Sequence, residues 1–404
     1  MINQLLSFAS AMKSVGGIVL AIVILLVMVT IHEFGHYVAG KLLNFKINEF
    51  AVGFGPAIFK KRSKKTGELF ALRVVPLGGY CAFDGEDEFS EPEKPTESEP
   101  FEEMKESVAE QNEGGRVEMK PENDYPEPKG ERFNDQKPWK RIIVLVAGAT
   151  MNYILALFLI VLMFACIGRP MYQVVEKPAD TEATSVLLQE ETLSGLQAGD
   201  VILKIDNHNV YMITDYMDAL DGKKAGENVD VLVLRDGKKQ TIMMTLAINA
   251  DFVNMSDTNT LLYSMDVYGL APVTVKQGFF QSIGHSFGYS VRIGGTVLRS
   301  LGELLTGKLG LEAMGGPITT IQVTSQAATS GMLSFLNIAA FIGVNLAVFN
   351  LLPIPALDGS KVVFCLIEWI RKKPINRKVE TIIHLVGIIF LFGFAILVDL
   401  LQLF

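Results

Sequence analysis

The chain has 404 residues, 49% of them hydrophobic, and a formal net charge of −8. Those proportions point to membrane segments, and no nucleic-acid partner is expected. Three scattered cysteines, Cys81, Cys166 and Cys365, exclude a disulfide framework or a C-x-x-C metal site.

Residues 14–43 form the first predicted element. Ser14 through Ile31 carries no charge, approaching the roughly 20 apolar residues of a spanning helix. Inside this run stands His32-Glu33-Phe34-Gly35-His36, an H-E-x-x-H pattern. On a helix, positions i and i+4 share a face, so His32 and His36 can point two imidazoles at one metal ion. Glu33 can then act as general base on a water at that metal, the zinc metalloprotease arrangement. Ionisable groups inside a spanning helix are costly and usually functional. The run lacks an A-x-A-like exit, so no cleavable signal is expected.

Residues 44–83 turn β-like, with Phe50-Ala51-Val52 and Leu69 to Val75 as strands and Gly53-Phe54-Gly55-Pro56 and Pro76-Leu77-Gly78-Gly79 as turns. They predict a small sheet or hairpin beside the first helix. Its basic residues, Lys46 and Lys60 to Lys65, mark the cytoplasmic side.

Residues 84–137 follow as an acidic cytoplasmic segment. From Asp84 to Asp135 there are 19 acidic and 6 basic residues, a net of −13, and the remaining chain carries +5. This Pro- and Glu-rich composition cannot bury a core and predicts a solvated, flexible stretch.

Residues 138–168 are the second predicted span. Gly148 and Asn152 lie one turn apart in it, placed for helix packing or for a catalytic part. Residues 169–250 read as a soluble β-rich module, with strands at Val201–Ile205, Val229–Leu234 and Ile242–Leu246, a helix over Asp215–Leu220 and an Asp236-Gly237 turn. The run Ser194 to Ile202 resembles a PDZ domain, a fold that binds peptides by strand addition. Used as a steric block, the same fold would need no bound peptide.

Residues 251–330 predict a linker and amphipathic surface helices, with Phe279, Phe280, Ile283, Phe287 and Val291 along one face. Residues 331–360 hold the third span, which runs into Asn350-Leu351-Leu352-Pro353-Ile354-Pro355-Ala356-Leu357-Asp358-Gly359. The two prolines break the helix there. A basic cytoplasmic loop, residues 361–379, precedes the fourth span, residues 380–404. Two basic loops on one side put both termini and the PDZ-like module outside.

Catalytic zinc takes three protein ligands and keeps one position open. Asp358, in an apolar setting at the inner end of the third span, is the favoured third ligand. His384 is the alternative, and Glu368 and Glu380 read as surface residues.

With these motifs, the chain resembles the bacterial site-2 proteases, intramembrane zinc metalloproteases. The H-E-x-x-H pattern, the Asn350 to Gly359 run, the Gly53–Pro56 and Pro76–Tyr80 turns and Pro138-Trp139-Lys140-Arg141 carry the likeness over nearly the whole chain. Ala149 and Ser360 stand where the family often has Pro and Gly. The resemblance implies a polytopic α-helical membrane protein of four spans in the inner or plasma membrane, with a membrane β-hairpin and one extracytoplasmic PDZ-like domain. It implies Zn2+ held by His32, His36 and Asp358, Glu33 as base, and Asn350 holding the substrate backbone. Hairpin strand residues such as Leu72 and Val74 would pair with unwound substrate. Substrates would be single-span membrane proteins, such as anti-sigma factors trimmed by an upstream site-1-type protease, or remnant signal peptides. A membrane adaptor with a degenerate metal site is the alternative, against which the full set of four polar residues counts. A metal transporter would need polar residues spread over several spans.

Overall fold

The computed structural model describes residues 2–86, 125–175, 196–224, 226–245, 270–311 and 314–403. The acidic stretch over 87–124, and Ser194 and Gly195 of the PDZ-like run, lie outside the described residues. The chain divides into two compact units.

The unit formed by residues 19–153 and 346–393 contains the H-E-x-x-H motif. Its first element is α1 (Ile2–Leu42), an apolar helix. Asn44, at φ 64°, turns the chain out of the helix, a left-handed conformation that asparagine tolerates. Two long bent strands follow, β1 (Ile47–Arg62) and β2 (Leu69–Phe83). Each folds at its glycine-rich turn, so residues 47–54, 57–62, 69–75 and 79–83 act as four arms. Arg73 staples both bends. Its guanidinium donates to the Gly55 carbonyl, to Glu49 and to the Tyr80 hydroxyl, each at 2.7 Å.

The register corrects one expectation. Leu72 pairs with Val52 on one side and with Phe59 on the other. The arm carrying Leu72 and Val74 is therefore interior, with its main-chain groups already taken up by neighbours. Among the described residues, the arm over Gly79–Phe83 is paired on one side only.

Helix α2 (Pro138–Cys166) starts with Pro at its first position, where a missing N–H costs nothing. Helix α6 (Met332–Leu351) ends before Pro353 and Pro355, α7 (Asp358–Arg371) begins at the aspartate itself, and α8 (Arg377–Leu403) closes the chain. Ser14–Leu42, Pro138–Cys166, Met332–Leu351 and Arg377–Gln402 are long and apolar enough to cross a membrane.

The other unit holds an antiparallel sheet in the order β7-β6-β4-β3-β8, built from β3 (Arg169–Val174), β4 (Val201–Ile205), β6 (Asn228–Arg235), β7 (Lys238–Thr245) and β8 (Leu270–Val275). The short β5 (His208–Asn209) pairs with β4. Asp236 and Gly237, both at positive φ, make the two-residue turn between β6 and β7. Helix α3 (Ile213–Leu220) sends Tyr216 and Leu220 into a core with Ile202, Ile205 and Val231.

Helix α4 (Phe279–Leu305) inverts the usual burial pattern. Ser282, Ser286 and Ser290 are buried, while Phe280 is 85% exposed and Phe279, Phe287 and Val291 also face outward. Its Arg292 pairs with Asp215 and Asp218 of α3. Helix α5 (Pro317–Ser330) is capped from α8, where Asp399 accepts the Ile318 N–H at 3.1 Å.

Candidate metal centre

Helical spacing brings His32 and His36 to one side of α1, with their ring nitrogens Nε2 3.2 Å apart. Asp358 enters from the first turn of α7. Its Oδ2 lies 3.1 Å from His32 Nε2 and 3.4 Å from His36 Nε2. Among the described residues, these three side chains form the cluster able to hold a metal, their ligand atoms all within 4.8 Å of one another.

The chemistry of the donors fits a divalent cation. His36 Nδ1 donates to the Val144 carbonyl at 2.8 Å, so its Nε2 keeps a lone pair aimed at Asp358. Asp358 Oδ2 is buried and, among the described residues, accepts no hydrogen bond. Two imidazole lone pairs and a carboxylate oxygen facing one point repel unless a cation sits between them.

Helix α2 is the wall behind the histidines. An added Cβ at Gly148 would collide with His36 and His32, and one at Gly35 with the Ala147 carbonyl. These two glycines let the helices approach closely. Asn152 Nδ2 lies 3.4 Å from His32 Nδ1, and the amide oxygen of Asn152 is buried without a partner. Turning the amide over lets Oδ1 accept a His32 Nδ1–H, which leaves His32 Nε2 free for a metal. Packing and positioning of the histidine thus both fall to this residue.

Glu33 follows the first histidine and lies beside the hairpin. A Cβ at Gly79 would stand 3.1 Å from Glu33 Cγ. Glu68, buried at the far end of the hairpin, accepts from Lys41 Nζ at 2.6 Å and from the Tyr37 and Thr66 hydroxyls at 3.0 Å. It ties the sheet to the turn of α1 that follows His36.

His384 stands apart from the two histidines. The Ala356 N–H donates to His384 Nδ1 at 3.2 Å, and Ala356 holds φ 80°. Gly387, one turn further along α8, sits so close to Pro355 that a Cβ would collide with it. Helix α8 therefore cradles the loop that presents Asp358. Asn350 lies half-buried in the last turn of α6.

A family model described as Peptidase family M50 matches residues 20–394. The chain belongs to peptidase family M50. The zinc metalloprotease RasP of Bacillus licheniformis is 27% identical to it, over 90% of this chain and 93% of that protein. The regulator of sigma-W protease RasP of Bacillus subtilis is 28% identical, over 93% and 96%. As a site-2 protease family member with four candidate spans, this M50 peptidase is a multi-pass membrane enzyme.

Two roles in this M50 chain escaped sequence reasoning. Glu368, read as a surface residue, is 5% exposed. It pairs with Arg141 of α2 and with Arg377 of α8 at 2.9 Å, and it accepts the Ile375 N–H at 2.9 Å. Burial opposes its charge, but the Ile375 N–H and the arginines hold its carboxyl below the usual glutamate range. Nothing local in a cation-rich loop announces a buried carboxylate. Tyr37 and Lys41 gave the only hint of the Glu68 anchor, as polar groups one helical turn apart.

Proposed function

We propose that the chain is a zinc-dependent intramembrane endopeptidase that cuts the transmembrane segments of single-span membrane proteins. The carrying observation is the convergence of His32, His36 and Asp358 on one point between helices apolar enough to span a bilayer. Relatives named zinc metalloprotease and protease support zinc as the metal. His32, His36 and Asp358 would hold the ion, the three protein ligands that a catalytic zinc site takes.

When bound, Zn2+ supplies Lewis acidity toward water and toward the scissile carbonyl. Glu33 takes the proton of the attacking water and later passes it to the leaving amine. Asn152 and the Val144 carbonyl keep both imidazoles in the metal-binding tautomer. A helical substrate hides its carbonyls in hydrogen bonds, so it must unwind locally. The half-paired arm Gly79–Phe83, beside Glu33, receives the opened segment by strand addition. Leu72 and Val74 keep exposed side chains and offer apolar contact only. Asn350 holds the substrate backbone.

The basic loops set the site near the cytoplasmic side, with the β-rich module and both termini outside. That module is proposed to be PDZ-like and to exclude substrates with bulky outer domains. The Bacillus subtilis relative is named for regulating sigma-W. Membrane-anchored regulators of that kind, trimmed first by another protease, are the proposed substrates, with remnant signal peptides as the second class.

The test compares membrane-protein fragments from cells carrying the wild type and Glu33→Gln. Fragments cut within transmembrane segments should vanish in the variant. Identical fragment sets would overturn the reading.

A further inference from the structure

Helix α7 does more than carry Asp358. Val363, Leu366, Ile367 and Ile370 recur at helical spacing along one face. All four are exposed, Ile370 at 81%, and Trp369 beside them is 52% exposed. The opposite face buries Cys365 and Glu368. Such a pattern is inverted for a helix in water, where large aliphatic groups turn inward.

The position of α7 says what lies against that face. It joins the end of α6 to the start of α8, two helices apolar enough to cross a membrane, so both of its ends belong to one membrane face. Glu368 binds Arg141 and Arg377, in the first turns of α2 and α8. Charged first turns of spanning helices sit at headgroup level. From Asp358 to Glu368, α7 advances ten residues, about 15 Å. The matching contacts on α2 move only from Val144, bonded to His36, to Arg141, a rise of about 4.5 Å. Even with the reach of an arginine added, the step along α2 falls short of the advance along α7, so α7 is inclined to the spanning helix.

The apolar stripe ends in exposed cations. Arg371, Lys372 and Lys373 follow directly after Trp369 and Ile370, and Lys378 is the second residue of α8. An aromatic ring, an aliphatic stripe and adjacent cations are the composition of a helix seated at an anionic lipid surface.

We propose that α7 is an interfacial helix whose Val363–Ile370 stripe enters the acyl boundary while Arg371, Lys372 and Lys373 engage anionic lipid headgroups. The lipid contact stands on the burial pattern alone. Only its consequence, that lipid seating sets the height of the third ligand, rests on the metal reading.

The chain has two tryptophans, so Trp139→Phe leaves Trp369 as the sole reporter. The full-length variant is reconstituted in vesicles of phosphatidylcholine and phosphatidylglycerol in equal amounts. Bromines are placed on one lipid at a time, at shallow or deep acyl positions. Trp369 fluorescence should be quenched more by shallow than by deep bromines. Brominated phosphatidylglycerol should quench roughly twofold more than brominated phosphatidylcholine. That excess should disappear in Arg371→Gln/Lys372→Gln/Lys373→Gln. Absence of lipid quenching would overturn the proposal by showing that protein or water covers the face. Equal quenching by the two lipids would overturn it too, as would a preference that survives the triple change. The lipid comparison needs no further variant, so a folding defect in the triple change cannot obscure it.

Discussion

The Nδ1–H of His36 donates to the Val144 carbonyl at 2.8 Å. A main-chain acceptor on a neighbouring helix thereby decides which nitrogen of a metal-facing imidazole keeps its lone pair. Gly148, one turn on, lets the ring come close to α2. Gly148→Val should push His36 off this acceptor and lower metal affinity by roughly 10–100-fold, the usual effect of disturbing an outer partner. Metal content after dialysis against a chelator measures it. Full retention would separate His36 from metal binding.

Glu33→Gln should retain metal and lose at least roughly 100-fold in cleavage rate, because the amide keeps the shape of the side chain but cannot take a proton. Parallel metal analysis and cleavage of a reconstituted substrate decide it. Normal turnover would remove Glu33 from the base role.

Asp358→Ala should empty the site of metal. His384→Ala should act more weakly and indirectly, by freeing the loop at Ala356. Asn places an acceptor where His places Nδ1, so His384→Asn should keep more activity than His384→Ala. Ala356→Gly, which adopts positive φ without cost, should partly compensate His384→Ala. Metal loss in His384→Ala equal to that in Asp358→Ala would make His384 a ligand.

Glu368→Leu should destabilise the protein by about 3–5 kcal/mol, because it leaves Arg141 buried and unpaired. Arg141→Leu/Glu368→Leu should recover much of that loss. The pH response has a definite sign. The Glu368 carboxyl is held below its ordinary value, so its contribution is complete above the unfolded glutamate range and fades as pH falls through the folded value. Thermal unfolding in detergent should show the wild type and Glu368→Leu converging only in strong acid. Convergence near neutral pH would contradict the ion-pair assignment.

Deleting residues 171–250 should allow cleavage of a substrate whose outer domain is intact, if the β-rich module acts by steric exclusion. Long and trimmed versions of one substrate, given to both enzymes, provide the readout. If the deletion cuts only the trimmed version, the module has another purpose.

The sequence by itself determined what depends on near neighbours along the chain. Four apolar runs, the i, i+4 histidines with Glu33 between them, the proline-broken end before Asp358 and the turn at Asp236-Gly237 are all local signals, set by helical period, hydropathy and backbone preference. Tertiary structure alone decided what depends on partners far apart in sequence. It set Asp358 against the histidines and His384 against Ala356. It made the Leu72 arm interior and left the Gly79 arm open, because pairing on both sides of a strand is invisible in that strand's own residues. It buried Glu368 between arginines 227 residues before it and nine after it. Charge and spacing say where a group can go along its own helix, but only packing between elements says which groups it meets.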